Sequence, residues 1–151
     1  MNVADSDRLA RALGALGMEE TKDASQAGLI ILNTCVVRQS AEDRALGRLN
    51  SLRPLKRNNP NLIIGLMGCL VGIRGNAAME KRSPWVDIFA APSDPEPFLR
   101  FLDNRMNQDS AETWRKKVDD VLDAEFGVTT EIRHTVSENL PIVLGCSHAC
   151  A

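Results

Sequence analysis

LIILNTC at residues 29–35 and LIIGLMGC at residues 62–69 decide the fold. Each is a short run of aliphatic side chains that stops at a cysteine. Runs of this length without polar alternation suit strands buried on both faces, as in a parallel sheet. The first predicts a strand from about Leu29 to Asn33, the second from about Leu62 to Leu66. Between them, Gln39 to Lys56 reads as a helix, with Ser40 able to cap it and Asp43 in the reciprocal capping-box position. The break NNPN at 58–61 then returns the chain to the sheet.

The pattern continues on both sides. Upstream, Leu9, Leu13 and Leu16 recur at helical spacing within residues 4–17, with Asp5 or Ser6 available as a cap. Downstream, residues 74–82 read as a third helix and Val86 to Phe89 as a short third strand. DPEPFLRFLDNRM, residues 94–106, reads as a further helix whose prolines fall in its first turn. Strand–helix alternation of this kind predicts an α/β fold, an open parallel three-layer sheet with right-handed crossovers. Because the chain opens in the helix that ordinarily follows a strand, the sheet is expected to lack its first strand. Residues 107–133 are richer in charge and read as an excursion or interdomain linker with room for a hairpin. NLPIVLGC, residues 139–146, then reads as the first strand of a new unit.

Composition narrows the class. The 151 residues suit one ordinary domain, 44% hydrophobic and 25% charged, with a net charge of −2. No global field draws such a chain to nucleic acid or membrane. No apolar run is long enough to span a bilayer, and the first residues lack the basic and apolar regions of a secretory signal. The expected address is therefore cytoplasmic, where four cysteines serve as buried thiols, redox residues or ligands more readily than as disulfides.

Cys35 and Cys69 occupy matching places, each just after a buried strand. Ligand crevices in open α/β sheets lie at the carboxyl ends of strands, so both thiols can face one crevice. Soft thiolates there suit zinc or iron–sulfur centres, and two core cysteines would read the same way. Cys146 and Cys150 form a C-x3-C pair around Ser147 and His148 near the end of the sequence. A second feature is basic. Arg38, Arg44, Arg48, Arg53, Lys56 and Arg57 outnumber Glu42 and Asp43 along the second helix and can steer a phosphate backbone or simply solvate a helix face. GIRGNAA, residues 72–78, lacks the lysine and hydroxyl of a P-loop. Adjacent Ser147 and His148 are no triad.

The opening MNVADSD, the block LIILNTCVVRQSAEDRALGRL (29–49), NPNLIIGLMGCL (59–70) and VDIFAAP (86–92) together resemble the N-terminal domain of methylthiotransferases, a family of radical S-adenosylmethionine enzymes. The likeness covers residues 1–105, loosens through the middle and returns at LPIVLGCSHAC (140–150). Among the branches, the opening and NTCVVR are most similar to enzymes that add a methylthio group to C2 of N6-isopentenyladenosine in the tRNA anticodon loop. The resemblance implies residues 1–105 as the N-terminal domain, incomplete at its start. It implies 106–139 as linker or excursion, and 140–151 as the truncated first strand of a radical-enzyme barrel.

It also implies ligands. Cys35 and Cys69 match two of the three cysteines that hold an auxiliary 4Fe–4S cluster in the family. Cys146 and Cys150 match the first two of the C-x3-C-x2-C motif that holds the radical 4Fe–4S cluster. The remaining ligand of each set would fall just before Met1 and two residues beyond Ala151. In the family, cleavage of S-adenosylmethionine by the radical cluster gives a 5′-deoxyadenosyl radical, while the auxiliary cluster holds or supplies sulfur. The implied partners of the parent enzyme are the tRNA anticodon loop and donors of sulfur and electrons, with no membrane. A fragment with two incomplete ligand sets is expected to be inactive alone. The competing readings are the ribosomal-protein branch of the family and a noncatalytic metal-binding interaction module.

Overall fold

The computed structural model of the chain describes residues 3–35, 38–106 and 111–126. They form α1 (Val3–Ala15), β1 (Leu29–Thr34), α2 (Gln39–Asn58), β2 (Ile63–Gly68), α3 (Cys69–Arg74), α4 (Asn76–Arg82), β3 (Ile88–Ala90), α5 (Glu96–Met106) and α6 (Ala111–Phe126). The sheet is parallel, in the order β1-β2-β3, and open. Register runs from Leu29 opposite Ile63 to Thr34 opposite Gly68, while Gly65 to Met67 face Ile88 to Ala90.

Side chains divide between two faces with the strand period of two. Ile30, Leu32, Ile64, Leu66 and Phe89 pack with Leu46, Leu49 and Leu52 of α2 and with Leu70, Val71 and Met79 of α3 and α4. Leu29, Ile31, Ile63, Met67, Ile88 and Ala90 pack with Leu9 of α1 and with Phe98 and Leu102 of α5. β2 is buried along its whole length, which explains why its sequence shows no alternation. Gly65 is the one gap on the second face. A Cβ there would overlap the ring of Phe98, which is fully buried, so the absent side chain makes room for α5.

Several local readings need correction. α1 begins at Val3, which puts Asp5 and Ser6 inside its first turn instead of at the cap. α2 begins at Gln39 because the extended Arg38 already presents its carbonyl to the N–H groups of Ala41 and Glu42. Ser40 is therefore not the cap, and the Asp43 carboxylate accepts from Gln39 Nε2 at 3.1 Å instead of serving a capping box. The helix expected over 74–82 is α4, and a separate short helix, α3, precedes it. Gly75, at φ 77°, closes α3 by donating to the Val71 carbonyl and opens α4 by accepting from Met79. Within the charged segment after Met106, α6 is a helix where a hairpin was allowed. Its Val118 and Val121 close a small core with Ala12, Leu16 and Leu99.

Among the described residues β1 is paired on its β2 side alone. Beside it runs an open groove of about 1320 Å³, lined in part by Ser6, Leu9, Leu13, Leu29, Ile31 and Asn33.

Candidate functional site

The parallel register brings the two strand-end cysteines together. Thr34 pairs with Gly68, the last residue of each strand; Cys35 follows the first, and Cys69 follows the second as the opening residue of α3. Neighbouring parallel strands lie about 4.8 Å apart, so the two cysteines follow directly on a pair of residues at that spacing. Both cysteines are half-buried, and neither is in a disulfide. Cys146 and Cys150 lie outside the described residues, as do Ser147 and His148.

Three residues of the two motifs build the platform beneath the thiols. Asn33 Nδ2 donates to Ser6 Oγ at 3.0 Å, tying the end of β1 to the first turn of α1. Thr34 is buried, and its hydroxyl donates to the Met67 carbonyl at 2.8 Å. The same oxygen accepts the Leu70 N–H at 3.4 Å. Gly68 adopts φ 103° and ψ −161°, a conformation that excludes side chains. A Cβ there would also run into the Thr34 carbonyl and lie 2.8 Å from Asn33 Oδ1. NTC and MGC are thus two halves of one packed corner. The corner closes with α1 at Ser93, whose hydroxyl donates to the buried Asp5 carboxylate at 2.8 Å.

The sequence offered no warning of one cluster at this end of the sheet. Glu42, in the first turn of α2, is buried and accepts from Arg74 of α3 at 3.0 Å and Arg82 of α4 at 3.4 Å. Both arginines are about half exposed at their outer ends. The available signal was position, since Glu42 stands on the apolar stripe Leu46, Leu49, Leu52. A carboxylate on a buried stripe calls for a cation.

The basic segment does not converge. α2 runs back along the sheet, so its 20 residues spread the charges over about 28 Å. Lys56 is structural. Its ammonium bonds the Leu62 carbonyl at 2.6 Å and both Asp87 oxygens at 2.8 Å, at the amino end of the strands. Arg53 lies over the Trp85 ring, 4.9 Å from its centroid. Arg38, Arg44, Arg48 and Arg57 face solvent, and only Arg38 and Arg44 stand near the cysteine end.

Two thiols, one just after β1 and one opening α3, fit a thiophilic metal or iron–sulfur centre in kind. They fall short of it in number: no group of three His, Cys, Asp or Glu able to hold a metal ion occurs among the described residues. No helix among them is long and apolar enough to cross a membrane.

Comparison with known proteins places these features in a lineage. Residues 1–91 match the family described as "Uncharacterized protein family UPF0004". A tRNA-2-methylthio-N(6)-dimethylallyladenosine synthase of Clostridium tetani is 35% identical across 99% of this chain and 33% of its own length. Proteins of the same name from Clostridium beijerinckii and Roseiflexus sp. are 31% and 34% identical, across 99% and 100% of this chain and 33% and 29% of their own lengths. The chain therefore spans about a third of the curated relatives it matches. With more than half of its residues inside the matched region, the chain belongs to the UPF0004 family and is homologous to part of these tRNA methylthiotransferases.

Proposed function

We propose that the chain is the cysteine-bearing N-terminal portion of a radical S-adenosylmethionine enzyme. The parent would add a methylthio group to C2 of N6-isopentenyladenosine in the tRNA anticodon loop. One observation carries the reading: the pairing, at the carboxyl edge of the sheet, of Thr34 with Gly68, the residues that immediately precede Cys35 and Cys69. Relatives named for the tRNA reaction support this branch over the ribosomal-protein one.

In this reading residues 1–105 are the N-terminal domain, 106–139 a connecting segment and 140–151 the start of the radical domain. Cys35 and Cys69 supply two thiolates to an auxiliary 4Fe–4S cluster, and Cys146 and Cys150 supply two to the radical cluster. When bound, these clusters would supply sulfur and the electron that cleaves S-adenosylmethionine. What the chain itself contributes is orientation. Asn33 and Ser6 hold the end of β1 against α1, while Thr34 and Gly68 hold the start of α3 against the end of β1. The remaining ligands and the tRNA-binding surface would come from outside these 151 residues, which makes the isolated chain inactive. Its expected partners in the whole enzyme are the tRNA anticodon loop and donors of sulfur and electrons, in the cytoplasm.

The test is anaerobic iron–sulfur reconstitution, followed by assays of S-adenosylmethionine cleavage and tRNA methylthiolation. This chain alone should give no turnover. A full-length version should modify hypomodified tRNA and lose about one cluster equivalent of iron and sulfide when Cys35 or Cys69 becomes serine. Modification of ribosomal protein instead of tRNA, or unchanged cluster content in both serine variants, would sink the reading.

A further inference from the structure

We propose that Thr34 is a positioning residue that sets the spacing between the Cys35 and Cys69 thiols. The proposal rests on the ligand assignment made above for those two cysteines. One hydroxyl reaches both sides of Cys69: it donates to the carbonyl of Met67, two residues before, and accepts from the N–H of Leu70, one residue after. The same residue is joined by its own peptide bond to Cys35. The Cys69 backbone is therefore held at both flanks by the residue that precedes Cys35, over a path of a few bonds.

The helices cannot do this as directly. α3 has six residues and is joined to α4 through the single residue Gly75. The clamp of Arg74 and Arg82 on Glu42 acts at the far end of α3 from Cys69, through long half-exposed side chains. Thr34 is 7% exposed, β-branched and so restricted at χ1. A hydroxyl is also the group that can donate and accept at once. Valine has the same shape and can do neither. Serine keeps both bonds with less rotational restraint.

The role is separable from simple stability by probes that read the distance between two sulfurs. The 151-residue chain carrying Cys146→Ser and Cys150→Ser leaves the pair isolated. Phenylarsine oxide joins two neighbouring thiols, forming two As–S bonds and releasing water with no change of redox state. Co²⁺ reports thiolate ligation by its charge-transfer absorption. Both titrations are run anaerobically at a temperature where circular dichroism shows every variant folded. Bidentate arsenical binding should require both Cys35 and Cys69.

Thr34→Val should weaken arsenical and Co²⁺ binding by about tenfold or more, in the range usual for groups that orient metal ligands. Thr34→Ser should restore binding to within about threefold of the parent. Unchanged affinity for both probes in Thr34→Val overturns the positioning role and leaves the ligand assignment standing. Arsenical binding that depends on Thr34, without Co²⁺ ligation, supports the spacing role and counts against the cluster ligands. A parent that binds neither probe through both cysteines overturns both.

Discussion

Replacing Gly68 with alanine tests the corner on which the candidate site stands, and Gly75→Ala is its internal control. Both glycines adopt positive φ with extended ψ, 103° and −161° at Gly68 and 77° and 153° at Gly75. A side chain in that region costs about 1–3 kcal/mol wherever it occurs. Their surroundings differ. Around Gly75 a new Cβ meets nothing within 4 Å. At Gly68 it meets the Thr34 carbonyl, Asn33 Oδ1 at 2.8 Å and the Thr34 nitrogen at 3.0 Å. The Asn33 side chain can swing away, at the expense of its bond to Ser6, but the Thr34 backbone is paired in the sheet and cannot. Overpacking of this kind adds about 1–3 kcal/mol. Gly68→Ala should therefore lose about 1–3 kcal/mol more than Gly75→Ala, a large share of the roughly 5–15 kcal/mol that holds a domain together. Urea titration followed by circular dichroism measures both, provided the slopes with denaturant agree. Equal losses at the two positions would refute the claim that NTC and MGC pack as one corner.

Two further outcomes follow from the charges. Glu42→Gln should destabilise by about 1–2 kcal/mol in the same titration, below the 3–5 kcal/mol typical of a fully buried broken pair, because Arg74 and Arg82 keep half their surface in water. Asp23 receives hydrogen bonds from the Ser25 hydroxyl and amide and from Gln26, which hold its carboxyl below the ordinary 3.8. The folded value lies below the unfolded one, so the turn's contribution is present above pH 3.8 and lost as pH falls through the folded value. Carboxyl carbon shifts should show Ser25→Ala raising the Asp23 midpoint, and an unchanged midpoint would contradict the cause given.

Much of this architecture was legible because the strands are short, wholly apolar and terminated by polar residues. Leu29–Thr34 and Ile63–Gly68 lie within a residue or two of where periodicity puts them. The third strand shifted from about Val86 to Ile88–Ala90, since the Asp87 carboxylate is used by Lys56 and the Ile64 N–H at the sheet's entrance. Helix starts were misread where the backbone needed no side chain to cap it, as at Arg38. α3 was hidden because no side chain caps its start, where Gly68 stands at the end of an apolar run. α6 escaped because its acidic clusters drew the reading to a linker, although Val118, Val121 and Leu122 recur at helical spacing. Val118 and Val121 are enough to join it to α1 and α5, helped by the Arg8 bond to the Glu125 carbonyl.

The site itself was legible as two matching strand ends but not as a bonded unit. Spacing in sequence said that Cys35 and Cys69 follow successive strands; register is what makes them neighbours. The polar side-chain links described here are unevenly distributed. Asn33 with Ser6, Thr34 with Met67 and Leu70, Ser93 with Asp5, and Glu42 with Arg74 all gather around the carboxyl end of the sheet or the first turn beyond it. At the opposite end Lys56 and the Ile64 N–H share Asp87, and Asp23 ties the turn before β1. A core this apolar already holds the sheet, so polar ties at one end add local rigidity more than bulk stability. That end carries the two thiols, and in the proposed role as ligands their spacing would need to be held to a fraction of an ångström.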